Sequence, residues 1–333
     1  MRQPTILDVA KLAGVSKSLV SLVMRGAPNV STESRAAVLA AAADLGYRPN
    51  AAARSLAARR SSVVGCVVSD LHNPFFADVI DGIEEEAAGA GYRLLVSPGF
   101  LDGAREAVAV DTLMQLRVDA LILVGSAMRL EELGMASSLI PVVLIGHDRA
   151  PEGLHTVSSD DVAGAEAVVD HLVESGHRRI AHIHASTDAG GTARRRGYAR
   201  AMRRHGLKDQ IRVVKGEFTA AGGARGMRRL LASGRLPTAV FVANDLAAIG
   251  VLDELDVAGL RVPDDISVVG YDNLALSAMD RISLTTVAQP RAELGQLSVR
   301  LALLGGERNG ASPTRVVLPP RLVVRSSSGP PPG

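Results

Sequence analysis

From residue 62 onward the chain alternates short β-branched runs with stretches of helical periodicity, which leaves few folds open to it. Strand patterns fall at Val63–Ser69, Tyr92–Val96, Ala120–Val124 and Val142–Ile145, then at Arg179–Ile183, Ile211–Val214, Ala239–Ala243 and Ile266–Val269. Helical patterns near 76–89, 104–117, 161–175, 192–205, 222–233 and 245–258 fill the gaps. This order predicts two parallel-sheet α/β lobes. Such sheets bind ligands outside the carboxyl ends of their strands. Those ends read Asp70-Leu-His-Asn-Pro-Phe-Phe76, Gly146-His-Asp148, Ser159-Asp-Asp161, Asn244-Asp245 and Tyr271-Asp-Asn273. Carboxylates, amides and aromatics recurring along one sheet edge suit a sugar: the polar groups match hydroxyls, and phenyl faces match the apolar C–H surface.

The 61 residues before this pattern are different. Residues 1–60 hold nine Lys/Arg against three acids, a net +6, while the remainder carries −4. A basic head on a mildly acidic body predicts a polyanionic partner for the head alone. Within it, Thr5-Ile-Leu-Asp8 has the form of a capping box opening a helix through about Leu12. Gly14 supplies a turn, Ser16 caps a second helix to about Met24, and a third begins at Ser31 and ends near Gly46. On the second helix Leu19, Val20 and Val23 form the inward stripe; Lys17, Ser18, Ser21, Leu22 and Arg25 face outward, as a helix lying in a major groove requires.

The strings Thr5-Ile-Leu-Asp-Val-Ala-Lys-Leu-Ala-Gly-Val-Ser16, Val20-Ser21 and Leu45-Gly-Tyr-Arg-Pro-Asn50 resemble the headpiece of the lactose-repressor (LacI/GalR) family. The resemblance extends over nearly the whole chain. It implies an all-α helix-turn-helix headpiece joined to a periplasmic-binding-protein-like core of two lobes, working as a homodimer on a pseudo-palindromic operator in double-stranded DNA. It assigns operator contacts to Thr5, Ser16, Lys17, Ser18, Ser21, Leu22 and Arg25. The Ala-rich stretch 50–60 is similar to the family's hinge helix. Asn50, Arg54 and Leu56 are then further DNA-contacting residues, with Leu56 wedging open a minor-groove base step. Leu19 and Leu22 depart from the family's usual hydroxyl residue and arginine, so Leu22 is expected to touch a thymine methyl instead.

In the core, Asn73-Pro-Phe-Phe76 resembles the family's first-strand loop, and Arg194-Arg-Arg-Gly-Tyr198 its Arg-x-x-Gly-aromatic motif. Val242-Ala-Asn-Asp245 and Val269-Gly-Tyr-Asp272 match two more signatures. The implied effector-binding residues are Asn73, Phe75, Phe76, Arg194, Asn244 and Asp272, with a sugar as the expected small-molecule effector. Gly146-His147 replaces an acid common in the family, and His184-Ala-Ser186 replaces a common Gly-Pro.

Other chemistries find little support. No Gly-x-Gly-x-x-Gly, nucleophile elbow or phosphate-cradling loop is present, and Gly222-Gly223 falls inside a helical pattern. A nucleotide-dependent enzyme is therefore not expected, nor any catalytic residue or cofactor. Cys66 is the sole cysteine, in an apolar run that predicts a buried, inert thiol. His182 and His184 alternate on one strand face, but no local carboxylate or Cys completes a metal set. No apolar run reaches membrane-spanning length and the N-terminus does not read as a signal peptide, which favours a cytoplasmic protein over an exported solute binder.

The expected organisation is a headpiece at 1–49, a hinge at 50–60, and an effector-binding core at 61–325. The N-lobe is expected at about 61–160 plus 290–325 and the C-lobe at about 161–289. The last residues, 326–333, are expected to be a disordered tail, since their Ser, Pro and Gly bury little apolar surface. The chain is thus expected to be a transcriptional repressor under small-molecule control.

Overall fold

A computed structural model describes residues 4–48, 60–147, 154–185, 189–305 and 313–332. It divides into two compact units, Met1–Ser62 and Val63–Gly333.

The first unit is a three-helix cluster: α1 (Ile6–Leu12), α2 (Lys17–Met24) and α3 (Thr32–Asp44). Each start is chemically marked. The Asp8 carboxylate accepts from both the Thr5 amide (2.8 Å) and the Thr5 hydroxyl (2.7 Å). Ser16 accepts from the Leu19 amide and Ser31 from the Ser34 amide, each at 3.2 Å. Val9, Val20 and Val38, all fully buried, meet at the centre with Ala10, Val23, Ala41 and Ala42. Short helices are marginal alone in water; this shared core holds them.

The second unit contains both lobes. In the N-lobe, β1 (Val63–Val68), β2 (Arg93–Pro98), β3 (Ala120–Val124), β4 (Val142–Ile145), β5 (His155–Ser159) and β11 (Arg315–Leu318) form a parallel sheet in the order β11-β5-β4-β3-β1-β2. Helices α4 (Pro74–Gly89) and α11 (Arg291–Gly305) cover one face; α5 (Gly103–Gln115) and α6 (Leu130–Ser137) cover the other. Side chains alternate between the faces: Val64, Cys66 and Val68 enter the α4/α11 core, and Val67 the α5/α6 core. With both faces covered, β3 is buried along its whole length, so it reads as a continuous apolar run. Burial pushes the Cys66 thiol up to about 12, which leaves it protonated and unreactive.

The C-lobe repeats the plan with β6 (Ile180–His184), β7 (Arg212–Lys215), β8 (Ala239–Val242) and β9 (Ser267–Val269) in the order β7-β6-β8-β9. Its helices are α7 (Asp161–Glu174) and α8 (Ala189–Arg204) on one face, α9 (Ala220–Leu231) and α10 (Asp245–Val257) on the other. Helices α9 and α10 approach so closely that a Cβ on Gly250 would lie 1.8 Å from the Ala220 carbonyl oxygen. β10 (Thr286–Ala288) and β12 (Arg321–Val323) form a separate antiparallel pair beside β9.

Two boundary expectations are corrected. Residues up to 325 do not all belong to the N-lobe: β11 pairs with β5 there, but the chain then crosses back, β12 pairs with β10, and Leu322 packs in the C-lobe core. Three residues with one inward side chain are too short for a period-2 pattern to reveal. The tail is also ordered rather than disordered. Val268 donates to the Ser327 carbonyl (2.8 Å), the Ser327 hydroxyl donates to the Val268 carbonyl (2.6 Å), and Thr285 donates to the Ser327 hydroxyl (2.8 Å). Composition gauges apolar burial, whereas this segment is held by polar bonds to the otherwise open edge strand β9.

Candidate effector cleft and DNA-contact helix

On the headpiece, Lys17, Ser18, Leu22 and Arg25 are exposed and Ser21 half-buried, while Val20 and Val23 are buried, so α2 presents one polar outer face. Ser16 sits at the start of that face as its cap. Thr5 is half-buried and spends its amide and hydroxyl on Asp8. Leu22 is 38% exposed on that outer face. Asn50, Arg54 and Leu56 lie outside the described residues.

In the core the expected ligand residues separate into two groups, each at the carboxyl edge of its own sheet. On the N-lobe, Asn73 caps α4, its carbonyl oxygen accepting from the Phe75 amide at 3.0 Å. Pro74 follows at the first helical position, where no amide hydrogen is needed. Phe75 and Phe76 meet edge to face with centroids 5.3 Å apart. Phe76 lies against Gly125, where an added Cβ would come within 3.1 Å of the ring. Beneath them is Glu106, a buried carboxylate that sequence reasoning missed. It accepts from Ser126 Oγ (2.6 Å), the Ala127 amide (2.8 Å), the Met128 amide (3.2 Å) and Ser69 Oγ (3.3 Å). These bonds tie the loop after β3 to Ser69 at the end of β1, from which the chain leads into Phe75 and Phe76.

On the C-lobe, Arg194, Asp272 and Asn244 come together. Gly197 in the Arg194-Arg-Arg-Gly-Tyr198 motif lets α8 press on α7, for a Cβ there would lie 2.4 Å from the Val162 carbonyl oxygen. That approach brings Arg194 Nε to 3.0 Å from Asp161 Oδ1. Arg194 Nη1 donates to the Ala243 carbonyl at 2.7 Å, and Nη2 lies 3.6 Å from Asp272 Oδ1. The guanidinium also stacks on Tyr271, 3.8 Å from the ring centroid. Asp272 and Asn273 take the left-handed backbone (φ 110° and 52°), which short polar side chains tolerate best. The turn is held by the Asp272 amide donating to the Val287 carbonyl (2.8 Å), by Gln289 Nε2 donating to Asp272 Oδ1 (2.7 Å), and by Arg291, which donates to the Asp272 carbonyl and pairs with Asp78 at 2.8 Å.

Asn244 is fully buried. Its Oδ1 accepts from the Ala247 amide (2.9 Å) and its Nδ2 donates to the Phe218 carbonyl (3.2 Å), leaving one amide hydrogen uncommitted. Asp161, Tyr271, Gln289 and Arg291 complete the cluster but were absent from the expected set. Asp161 had a signal, the acid pair opening a helix after a strand; the others do their work through contacts distant in sequence.

The electrostatics are unusual for so buried a group. Burial pushes the Asp272 carboxyl up to about 6 against the opposing pull of Arg194. Asp245 is pushed further, to about 7, by burial and then by the Asp272 charge, although Thr286 Oγ1 (2.5 Å) and the Leu274 amide (2.8 Å) donate to it. One guanidinium thus serves several carboxyls. His182, by contrast, belongs to the C-lobe interior: it stacks on Phe241 (4.5 Å between centroids), Nδ1 lies 3.0 Å from the Phe241 carbonyl, and burial lowers it to about 3, so it is neutral.

Residues 5–50 match the model of the bacterial regulatory proteins of the lacI family, and residues 169–328 that of the periplasmic binding protein-like domain. The chain is 33% identical to catabolite control protein A of Priestia megaterium, over 97% of its own length and 99% of that protein's. The lac repressor dimer bound to operator and the anti-inducer ONPF superposes with TM-score 0.88 at 30% identity, over 98% of this chain and 100% of that one. A transcriptional regulator CelR–cellobiose complex superposes with TM-score 0.73 at 32% identity, over 97% and 99%. Among the described residues no helix is long and apolar enough to cross a membrane. The chain belongs to the LacI family: it is a DNA-binding transcription regulator, not an enzyme.

Proposed function

We propose that the chain is a homodimeric repressor whose operator affinity is set by a neutral, polyhydroxylated effector, a sugar, bound between the two lobes. The observation that carries this reading is the buried Arg194 held by Asp161 and Asp272 at the carboxyl edge of the C-lobe sheet. Asp161 and Asp272 already neutralise Arg194 there, which favours a neutral ligand over an anion, while vicinal hydroxyls can donate to Asp272 and accept from Arg194. Asn73, Phe75 and Phe76 supply the opposite wall, where an apolar sugar face fits. The likeness to a cellobiose-bound regulator supports the same class of ligand.

Sugar binding that favours one lobe arrangement shifts the population between operator-competent and incompetent states. By linkage, operator and effector alter each other's affinity by one factor. At the operator, the α2 face enters the major groove. The 50–60 stretch, with Asn50, Arg54 and the wedge Leu56, engages the minor groove.

The test is calorimetric titration with a sugar found by thermal-shift screening. Asp272→Ala should weaken the sugar at least about tenfold, the equivalent of 1.4 kcal/mol, and leave effector-free operator binding unchanged. Unchanged sugar affinity, or a screen returning only purines or amino acids, refutes the sugar site. Operator affinity should separately fall with salt by roughly 0.9 log units per log unit of salt for each phosphate neutralised, and Lys17→Ala should lower that slope.

A further inference from the structure

The C-lobe has a second concavity at the opposite end of its sheet. A cavity of about 170 Å³ opens at the amino ends of β6 and β7, lined by Arg179, Asp209, Gln210, Arg212, Arg235 and Pro237 among others. With a rise of roughly 3.3 Å per strand residue, the five residues of β6 set it about 15 Å from the Arg194 cluster.

Three arginines line this cavity. Arg179 Nε donates to the Leu236 carbonyl at 3.4 Å. Arg212 donates to the Arg235 carbonyl at 2.5 Å and to Ser233 Oγ. Arg235 Nη2 donates to Gln210 Oε1 at 3.4 Å. All three are anchored by neutral acceptors, and among the described residues none pairs with a carboxylate. Elsewhere in the C-lobe Arg194, Arg200, Arg204, Arg225, Arg228 and Arg261 each have an acid partner, whereas Arg178, Arg203 and Arg229 donate to backbone carbonyls; what sets Arg179, Arg212 and Arg235 apart is that they line one cavity together. Asp209 is the one acid lining the cavity, so the rim carries a net +2.

Three guanidinium groups against one carboxylate give the mouth of this cavity a positive potential that attracts anions. Anchored guanidinium forks present donors in fixed planes suited to phosphoryl oxygens, and a dianion balances the rim. We infer that this cavity is an anion site, distinct from the effector cleft, that takes the phosphate group of a small phosphorylated ligand.

The probe is inorganic phosphate, titrated into the full chain at constant ionic strength and followed by ³¹P NMR line broadening. Broadening should saturate, and sulfate should compete where chloride does not. The double variant Arg179→Gln/Arg235→Gln should bind phosphate at least tenfold more weakly while keeping its melting profile and its sugar and operator affinities. Asp209→Asn should bind several-fold more tightly, a gain that misfolding cannot produce. Equal broadening in parent and double variant would put the phosphate elsewhere, as on the basic headpiece, and overturn the assignment. So would an unsaturable response, or an Asp209→Asn chain that binds no better.

Discussion

The two lobes share a plan, a parallel sheet between two helix layers, yet they furnish their facing edges differently. The N-lobe edge is built from aromatics and a carboxylate, Glu106, that backbone amides and hydroxyls fully engage. The C-lobe edge brings together buried Arg194, Asp245 and Asp272 and half-buried Asp161 from four separate elements. Apolar surface adapts to many partners, whereas buried charges demand particular ones. On the proposed reading of the cleft, this difference assigns selectivity to the C-lobe wall and a covering role to the N-lobe wall.

The largest expected effect tests the charged wall. Arg194→Ala leaves Asp161 and Asp272 without their cation, and breaking a buried pair in this way costs about 3–5 kcal/mol. Chemical denaturation should show that loss, together with loss of effector binding; a near-neutral result would mean water already screens the cluster.

The second test uses pH. Asp245 and Asp272 have folded pKa values above their unfolded ones, so the native state binds the extra protons. Their stabilising contribution is complete below about pH 4 and is lost as pH rises through about 6 to 7. Half-buried His155 and His171 and buried His177 and His182, all lowered by desolvation, act in the opposite sense. The informative quantity is therefore a difference. Asp245→Asn should gain stability on the parent between pH 5 and 8, by roughly 3–4 kcal/mol at most. Parallel melting curves for the two proteins across that range would disprove the raised carboxyl.

The smallest effect should come from the cover. Phe76 is only half-buried, so Phe76→Ala should cost about 2 kcal/mol of stability, less than the 3–5 typical of a buried ring. It should also weaken the sugar several-fold without changing which sugars bind. Altered sugar preference in calorimetry would move part of the selectivity to the N-lobe.

Where the sequence was informative, local physics was in control. Caps and glycines located the headpiece helices to within a residue or two, and the central strands were legible as unbroken β-branched runs. Strand ends pointed to Asn244 and Asp272, and the resemblance of Arg194-Arg-Arg-Gly-Tyr198 to the family motif pointed to Arg194. What escaped had no local periodicity: β10 and β12 are three residues each, and the tail bonds to β9 through serine and backbone. Asn244 could be placed but not its employment, since capping α10 and holding Phe218 depend on residues that only the fold brings near. Glu106 gave no signal, for a helical glutamate usually faces water.

The interleaving of the lobes has a consequence for the order in which a ribosome delivers them. The headpiece core draws only on residues before 48, so it can assemble as soon as that stretch is released. Neither lobe enjoys that independence. The N-lobe waits for α11 and β11, made more than a hundred residues after β5, and the C-lobe waits for β12 and for Ser327 to close the edge of β9. A nascent chain halted at residue 289 therefore holds a finished DNA-reading module, an N-lobe sheet with one apolar face still lacking α11, and a C-lobe sheet with an open edge. Synthesis thus exposes the sensor to aggregation and to chaperones long after the headpiece is safe from either.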